Sequence, residues 1–156
     1  MDFPPLNLPA SDLRIDDATT PPRIFDPYRR IWVALTPEEW VRQNLLRFLT
    51  GRRGYPAGRT AVETTLRMGE ASRRCDAVIY SADMTPLLLV ECKAPSVAVT
   101  EETVAQIAAY NRVVRAPLLL LSNGQTHFCC RIDFANGSFA FLDDIPPYAE
   151  NAGNAI

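Results

Sequence analysis

The sequence predicts an α/β fold in which a mixed β-sheet is flanked by helices. Apolar residues with strand periodicity form a central hairpin, and helix-start signals precede one segment on either side of it. The wholly apolar run 117–121 is typical of a strand that is buried on both faces. At 156 residues, with 47% hydrophobic and 22% charged residues, the chain has the size and composition of one soluble domain.

The N-terminal region is predicted to differ from the rest of the chain. Residues 1–21 are rich in proline and aspartate without periodicity, so we expect an extended or loosely ordered arm. Residues 22–148 are expected to form a single domain, followed by a polar tail at 149–156. The segment 23–35 carries β-branched and aromatic residues and is predicted to be a short strand or an irregular cover. No signal peptide is apparent, and no apolar run approaches the ~20 residues of a membrane span.

A first helix is predicted from the signals that surround its ends. Thr36 is a favourable N-cap, Pro37 suits the first helical position, and Glu39 completes a capping box. The helix should run to about Thr50, where Gly51 ends it.

One acidic residue of this helix is a candidate for the functional site. The apolar stripe is predicted to comprise Val41, Leu45, Phe48 and Leu49. Glu38 precedes Val41 by three residues, which places its carboxylate on the buried side, whereas Glu39 lies off the stripe. A carboxylate at a helix N-terminus is favoured by the macrodipole.

The central hairpin gathers charged residues at one edge of an apolar sheet. A strand at 60–68 precedes it, and the hairpin strands are predicted at 76–80 and 87–93. Antiparallel pairing then brings Asp76 next to Glu91 and Lys93, and the last two share a face because they are two residues apart. Carboxylate oxygens are the ligands that Mg²⁺ prefers. A strand that simply ends in exposed charges is the alternative interpretation.

Lys93 is the only lysine in the chain, since the other 15 of the 16 Lys and Arg residues are arginine. A compact ammonium with a tunable pKa therefore occurs only beside the two carboxylates. The single histidine, His127, is expected to be structural rather than catalytic. The cysteines form no CxxC pair, which argues against a zinc site and favours reduced, buried thiols in a cytoplasmic protein (Cys75, Cys92, Cys129 and Cys130).

The C-terminal half is predicted to contain a second helix and a meander of three strands. Thr100 caps a helix of about 101–115, on which Gln106 and Tyr110 share a face. That face is either a solvent-exposed surface or a contribution to the functional site. Turns at Asn-Gly pairs then separate strands predicted at 117–122, 126–134 and 138–142.

The charge distribution suggests a local basic surface rather than bulk attraction to nucleic acid. The net charge is −2, yet residues 42–74 contain eight arginines against two glutamates. Such a patch can hold a phosphate backbone, and its alternative is a solvated face. The candidate nucleic-acid contacts are Arg42, Arg52, Arg53, Arg73 and Arg74.

These motifs resemble a known superfamily. Asp76 followed by Glu91-Cys92-Lys93 resembles the D…ExK signature of the PD-(D/E)xK nucleases, and Gln106-xxx-Tyr110 is similar to the extra motif of their RecB-type branch. The element order matches their restriction-endonuclease-like αβββαβ core, here with extra C-terminal hairpin strands.

Six short motifs narrow the resemblance to one group, the proteins homologous to the N-terminal nuclease domain of type I restriction enzyme R subunits (HsdR). In order they are LTPEEWVRQ (35–43), the RxD of 74–76, LLLVECKAP (87–95), QIAAYN (106–111), SNG (122–124) and DIPPY (144–148). The resemblance as a whole covers about residues 24–148, nearly the whole chain. The resemblance implies that residues 22–148 are a nuclease-like domain.

The resemblance also implies a metal site. Asp76 and Glu91 would bind Mg²⁺, or Mn²⁺ in its place, with the Cys92 carbonyl completing the ligand shell. Glu38 would hold a nearby water or a second metal ion. The implied activity is that of a Mg²⁺-dependent endonuclease of restriction or repair type acting on DNA.

The remaining roles follow from the same resemblance. Lys93 would orient or deprotonate the attacking water, and Gln106 and Tyr110 would position the phosphate or the lysine. DNA is the implied partner, with a homodimer or partner subunits left open and no membrane association expected.

Two departures qualify the resemblance. Cys75 stands where the family has a proline before the aspartate, which should not change the chemistry. No GxxxxGK[ST] loop occurs in these residues, so we expect no ATPase motor here. A binding or scaffold module that keeps the nuclease fold without turnover is the competing interpretation.

Overall fold

A computed structural model describes residues 3–149 and divides them into two α-helices, one short 3-10 helix (Ala57–Arg59) and nine strands. The strands are β1 (Ile15–Asp16), β2 (Arg23–Asp26), β3 (Ile31–Ala34), β4 (Thr60–Met68), β5 (Ala71–Tyr80), β6 (Pro86–Cys92), β7 (Leu118–Ser122), β8 (His127–Asp133) and β9 (Ser138–Leu142). The helices are α1 (Pro37–Arg52) and α2 (Glu101–Val114). The predicted tail lies outside the described residues from position 150 onward.

Six strands form the main sheet, in the order β4-β5-β6-β7-β8-β9. Strands β6 and β7 are parallel and are connected through α2, whereas all other neighbours are antiparallel. Strands β1, β2 and β3 form a small separate sheet. The mixed α/β architecture predicted from the sequence is therefore confirmed.

The helices cover opposite faces of the main sheet, because successive strand residues point to opposite sides. On one face the apolar side of α1, including Leu45 and Leu49, packs against β6 residues such as Leu88 and Val90. On the other face, Val104 and Ile107 of α2 pack against residues such as Leu89, Leu119 and Cys130. Both faces of the central strands are thus buried, as their continuous apolar sequence indicates.

The N-terminal arm is packed against the body rather than loosely ordered. Leu6 and Leu8 contact the α1-side core, and the Asn7 amide donates to the Gly124 carbonyl at 2.8 Å. Gly124 has φ +87°, and a Cβ at this position would lie 2.6 Å from Leu6. The arm and the β7–β8 turn therefore require glycine at this contact. The composition of the arm did not indicate that its leucines at positions 6 and 8 pack against the core.

Helix α1 begins as predicted and ends later. The Glu39 amide donates to Thr36 Oγ1 at 3.0 Å, which confirms the N-cap. The reciprocal half of the capping box is absent, since the Glu39 side chain binds arginines instead. The helix continues through Gly51 to Arg52. Its C-cap is Arg53, whose amide donates to the Leu49 carbonyl. Among the described residues, no helix combines the length and apolarity needed to cross a membrane.

Candidate active site at the end of the central hairpin

The β5–β6 register brings two carboxylates together. Ala77 pairs with Val90, so the preceding Asp76 and the following Glu91 lie side by side on neighbouring strands. Asp76 Oδ2 accepts a hydrogen bond from the Cys92 amide at 2.7 Å, which fixes its carboxylate at the end of β6. The sequence ECK then carries the chain past the sheet, and the Lys93 amide donates to the Ser122 carbonyl at 2.8 Å.

Glu91 is the most perturbed acid of this cluster. Only 7% of its surface is exposed. Burial raises the pKa of Glu91 to about 7, and the negative charge of Asp76 acts in the same direction. The guanidinium of Arg73 opposes this shift by donating to Glu91 Oε1 at 2.8 Å. Glu91 is therefore paired with Arg73, yet burial and the neighbouring Asp76 favour its protonated form.

Arg73 joins helix α2 to the carboxylates. Its guanidinium carbon lies 4.1 Å from the centroid of the Tyr110 ring, which is a cation–π geometry. The Nη2 atom of the same guanidinium binds Glu91. The Arg73 Nε atom is buried without a hydrogen-bond partner. Tyr110 thus reaches the carboxylates through Arg73, and Gln106 is exposed one turn earlier on the same helix. The sequence placed Arg73 on a DNA-binding surface, whereas the structure pairs it with Glu91.

The position of Glu38 differs from the prediction. Glu38 is exposed at the α1 N-terminus, and Glu39 is the buried neighbour with 5% exposure. The β2–β3 hairpin covers that side of the helix, and its Arg29 binds Glu39 at 3.0 Å. Burial raises the pKa of Glu38, as does the charge of Asp76, while Lys93 lowers it. Glu38 is therefore within electrostatic reach of both residues, at the rim of the site.

Arg42 belongs to a buried ionic network rather than to a DNA-binding surface. It is 5% exposed, and its guanidinium binds Glu39 at 2.8 Å and Glu63 at 3.1 Å. Its remaining nitrogen lies 3.6 Å from Asp76 Oδ1. The network extends to Arg29, which bridges Glu39 and Glu63. Arg42 is therefore corrected from a predicted phosphate contact to a support for Asp76.

Glu63 and Arg29 were not predicted from the sequence to be members of this network. Glu63 lies in the middle of β4 with φ +50°, a conformation that strand residues rarely adopt. The β4–β5 pairing skips Glu63 and Asp76, which would otherwise be opposite each other. An irregularity in the strand thus lies next to the carboxylates, as is common at functional sites.

The other predicted DNA contacts do not form one surface. Arg53 binds Asp144 and the Ile145 carbonyl, both at 2.9 Å, so it ties α1 to the C-terminal segment. Arg74 binds Glu63, although 68% of its side chain is exposed. Arg52 is exposed at the end of α1. Arg53 thus has a structural contact, Arg52 and Arg74 keep access to solvent, and the predicted contacts of these three residues with nucleic acid stay predictions.

A cleft lies beside the α1 N-terminus. It has a volume of about 600 Å³ and is lined by Arg29, Thr36, Glu38, Arg42, Glu63 and Ala94, among others. Ala94 directly follows Lys93, so the cleft lies next to the end of the ExK segment. Among the described residues that line it, Asp76, Glu91 and Lys93 do not occur.

Comparison with known proteins then places the chain in a family. The family model for the N terminus of the type I restriction enzyme R protein matches residues 37–146, which include α1, the central hairpin and α2. The chain belongs to this family. No curated protein matches the chain.

A solved structure supports the fold of this R-protein N-terminal family member. It is a fragment assigned as an HsdR subunit of a type I restriction enzyme from Vibrio vulnificus YJ016. The two superpose with a TM-score of 0.50 at 17% identity, over 72% of this chain and 24% of the other. The fold is thus restriction-endonuclease-like, and this chain spans about a quarter of that structure's length.

The donor set of this family member fits a divalent ion held mainly by oxygen atoms. Within residues 3–149, no three side chains of His, Cys, Asp and Glu are grouped so that they could hold a metal ion. Mg²⁺, however, is commonly bound by one or two carboxylates together with waters and substrate phosphate. Asp76 and Glu91 lie on neighbouring strands and supply two carboxylates, which meets that smaller requirement. The predicted roles of these residues stay predictions.

The raised pKa of Glu91 makes stability depend on pH. The folded protein keeps the Glu91 proton up to about pH 7, whereas the unfolded chain releases it near its ordinary value of 4.5. Because the folded state then binds more protons, this group's contribution to the free energy of unfolding falls as pH rises from 4.5 to 7. We expect Glu91→Gln, which stays neutral, to remove that fall in urea unfolding without divalent metal. Glu70→Gln, at an exposed turn, is the control, and parallel profiles for wild type and Glu91→Gln would contradict the prediction.

Proposed function

We propose that this chain is a metal-dependent nuclease that hydrolyses phosphodiester bonds in DNA, in restriction or repair. The observation that carries the proposal is the placement of Asp76 and Glu91 side by side, with Lys93 two residues after Glu91. Membership of the R-protein N-terminal family supports a nuclease-related role. Its partners would be DNA and either a second copy or other subunits of a restriction assembly.

The carboxylates and a backbone group would hold the metal. Asp76 and Glu91 would bind Mg²⁺ or Mn²⁺, with the Cys92 carbonyl as a further oxygen donor. A divalent ion bound there would supply neutralisation of charge on the scissile phosphate and would lower the pKa of a bound water. Glu38, at the rim, would hold a nearby water or contribute to a second metal ion.

The chain's own residues would position the reactants. Lys93 would orient the attacking water as the ammonium or, as the neutral amine, accept its proton at Nζ. Arg73 would leave Glu91 when a metal ion replaces it as counter-charge, and its guanidinium would then bind a phosphate oxygen. Tyr110 would hold that guanidinium in place, while Gln106, one turn away, would contact the phosphate.

A non-catalytic DNA-binding or scaffold module is the second candidate, and a specific observation favours it. Arg73 already neutralises Glu91, and Arg42 approaches Asp76 to 3.6 Å. If these arginines are permanent counter-ions, they substitute for the metal and the site has no chemistry. The two candidates therefore differ in whether a divalent ion can displace Arg73.

Two measurements on the same proteins separate the candidates. A nuclease should nick supercoiled plasmid with Mg²⁺, and Glu91→Ala should lose the activity by at least about 100-fold. Because metal binding to the folded state stabilises it, millimolar Mg²⁺ or Mn²⁺ should also raise the melting temperature of wild type but not of Asp76→Ala. The scaffold would be favoured if metal left the melting temperature of wild type unchanged and if wild type and Glu91→Ala nicked plasmid equally.

A further inference from the structure

We propose that the outer face of the small β1–β2–β3 sheet binds an unpaired stretch of nucleic acid beside the cleft at Glu38. This surface, the aromatic face, consists of Arg14, Asp16, Arg23, Phe25, Trp32 and Ala34. These residues precede 37–146, the part of the chain that the family model matches, so membership of the family assigns them no role. The inference rests on the proposed function only in taking nucleic acid as the ligand.

The register of the small sheet places the aromatic residues on one side. Phe25 pairs directly with Trp32, and their ring centroids are 5.5 Å apart. Arg23 precedes Phe25 by two residues and therefore points to the same side, where it pairs with Asp16 of β1. Arg14 continues this pairing, because its carbonyl accepts from the Phe25 amide at 2.9 Å. These side chains thus belong to a single face.

The opposite side of the small sheet is fixed to the body of the protein. Ile24 and Asp26 alternate with Phe25 and are fully buried. Arg29, in the β2–β3 turn, binds Asp26 and also reaches Glu39 of α1 at 3.0 Å. The aromatic face is therefore held outward by its own support, so a ligand would not have to order the sheet on binding.

Two guanidinium groups lie against the exposed indole of Trp32. The guanidinium carbon of Arg14 lies 5.4 Å from the centroid of the Trp32 ring and 4.6 Å from that of Phe25. The guanidinium carbon of Arg23 lies 5.6 Å from the Trp32 centroid. These are cation–π distances, and Trp32 still keeps 37% of its surface exposed. Aromatic rings and arginine planes are the surfaces on which proteins stack unpaired bases, and this face offers both.

One of the two arginines has no anionic partner. Arg23 forms a salt bridge with Asp16 at 2.9 Å, which neutralises its charge. Arg14 is exposed, and within residues 3–149 its side chain forms neither an ion pair nor a hydrogen bond. Its N–H donors are therefore available to a phosphate oxygen. Because the face carries only one uncompensated positive charge, we expect stacking rather than charge to supply most of the affinity.

The aromatic face continues into the cleft at Glu38. Ala34 lines the cleft and lies directly opposite Arg23 on the neighbouring strand. Trp32 is two residues before Ala34 on the same side of the sheet, roughly 7 Å away along the strand. A nucleic-acid strand that enters the cleft from this side would therefore pass Trp32. The bases of a duplex are stacked on each other, so only an unpaired stretch can stack on this face.

The test is fluorescence anisotropy with a labelled oligothymidylate in EDTA, so that cleavage plays no part. We expect Trp32→Ala to weaken binding roughly tenfold, the size of one lost base stack, whereas Trp32→Phe keeps a ring and should bind within about threefold of wild type. Phe141→Ala is the matched control, since Phe141 is 42% exposed on the distant edge strand β9. It should bind within about twofold of wild type.

Arg14→Gln tests the phosphate contact separately. The slope of log affinity against log salt should fall by about 0.7, the value for one phosphate contact with a single strand. Arg112→Gln, exposed on α2 across the main sheet, is its control and should leave the slope unchanged. Because Arg14 has no ion pair to lose, Arg14→Gln should melt like wild type. It therefore keeps the test decisive if Trp32→Ala loosens the small sheet.

Two results would overturn the proposal. Trp32→Ala and Arg14→Gln could bind the oligonucleotide like their controls, or Trp32→Ala could weaken binding to a blunt duplex as much as binding to the unpaired strand. The plasmid-nicking assay separates these outcomes from the proposed function. Nicking by wild type, with normal oligonucleotide binding by both variants, would exclude the aromatic face alone. Binding through the aromatic face without nicking would exclude the nuclease alone.

Discussion

Lys93→Ala is expected to abolish plasmid nicking while leaving the fold intact. Lys93 lies two residues after Glu91, and its positive charge lowers the pKa of Glu38 at the rim of the cleft. A positioned general acid or base typically contributes about 10²–10⁴ in rate, so the loss should be of that size. Stability should change little, by about 0.5 kcal/mol, because the Lys93 side chain is half-buried and its structural bond to Ser122 uses the backbone amide. Nicking rates and urea unfolding curves of the two proteins measure both effects.

Lys93→Arg separates charge from proton transfer. An arginine keeps the positive charge beside Glu38, yet its pKa is too high for it to accept a proton from water. If Lys93 deprotonates the nucleophile, Lys93→Arg should be as inactive as Lys93→Ala. Recovery of nicking in Lys93→Arg would limit the lysine to electrostatic positioning. Full nicking by Lys93→Ala would remove this residue from the mechanism.

The sequence predicted the elements and the position of the carboxylates because both depend on local patterns. Strand alternation and two Asn-Gly turns defined the sheet, and the hairpin register alone brought Asp76 to Glu91. The second helix was predicted at 101–115 and is observed at Glu101–Val114, since Thr100 caps it as expected. Such features need only a few neighbouring residues for their interpretation.

The ionic network around the site could not be predicted, because its members come from distant parts of the chain. Arg29 lies in the β2–β3 hairpin, Arg42 on α1 and Glu63 at an irregularity of β4. Counting arginines over residues 42–74 grouped Arg42 and Arg53 with solvent-exposed neighbours, although tertiary contacts bury Arg42 and pair Arg53 with Asp144. For the same reason, Glu38 was predicted on the buried side of the helix and Glu39 off it, whereas the structure exposes Glu38 and buries Glu39. A helix stripe indicates the face toward the sheet but not the hairpin that covers the helix N-terminus.

Arg42→Met is expected to have the largest effect on stability. Arg42 is 5% exposed and neutralises Glu39, which is equally buried, as well as Glu63. Removing one partner of a buried ion pair typically costs about 3–5 kcal/mol, because the other charge remains without compensation. We expect about 3 kcal/mol, the lower end, since Arg29 still contacts both glutamates after the change. Urea unfolding at neutral pH measures the difference.

Arg74→Met is the matched control, because Arg74 binds the same Glu63 from a side chain that is 68% exposed. Exposed pairs contribute about 0–1 kcal/mol, so this variant should unfold almost as wild type does. In Arg42→Met the Glu39 carboxylate loses its buried partner. The double variant Glu39→Gln/Arg42→Met removes this uncompensated charge and should recover part of the stability lost in Arg42→Met. Equal losses for Arg42→Met and Arg74→Met would show that burial does not strengthen the network. In that case the approach of Arg42 to Asp76 would reflect a surface contact rather than a rigid support for the carboxylates.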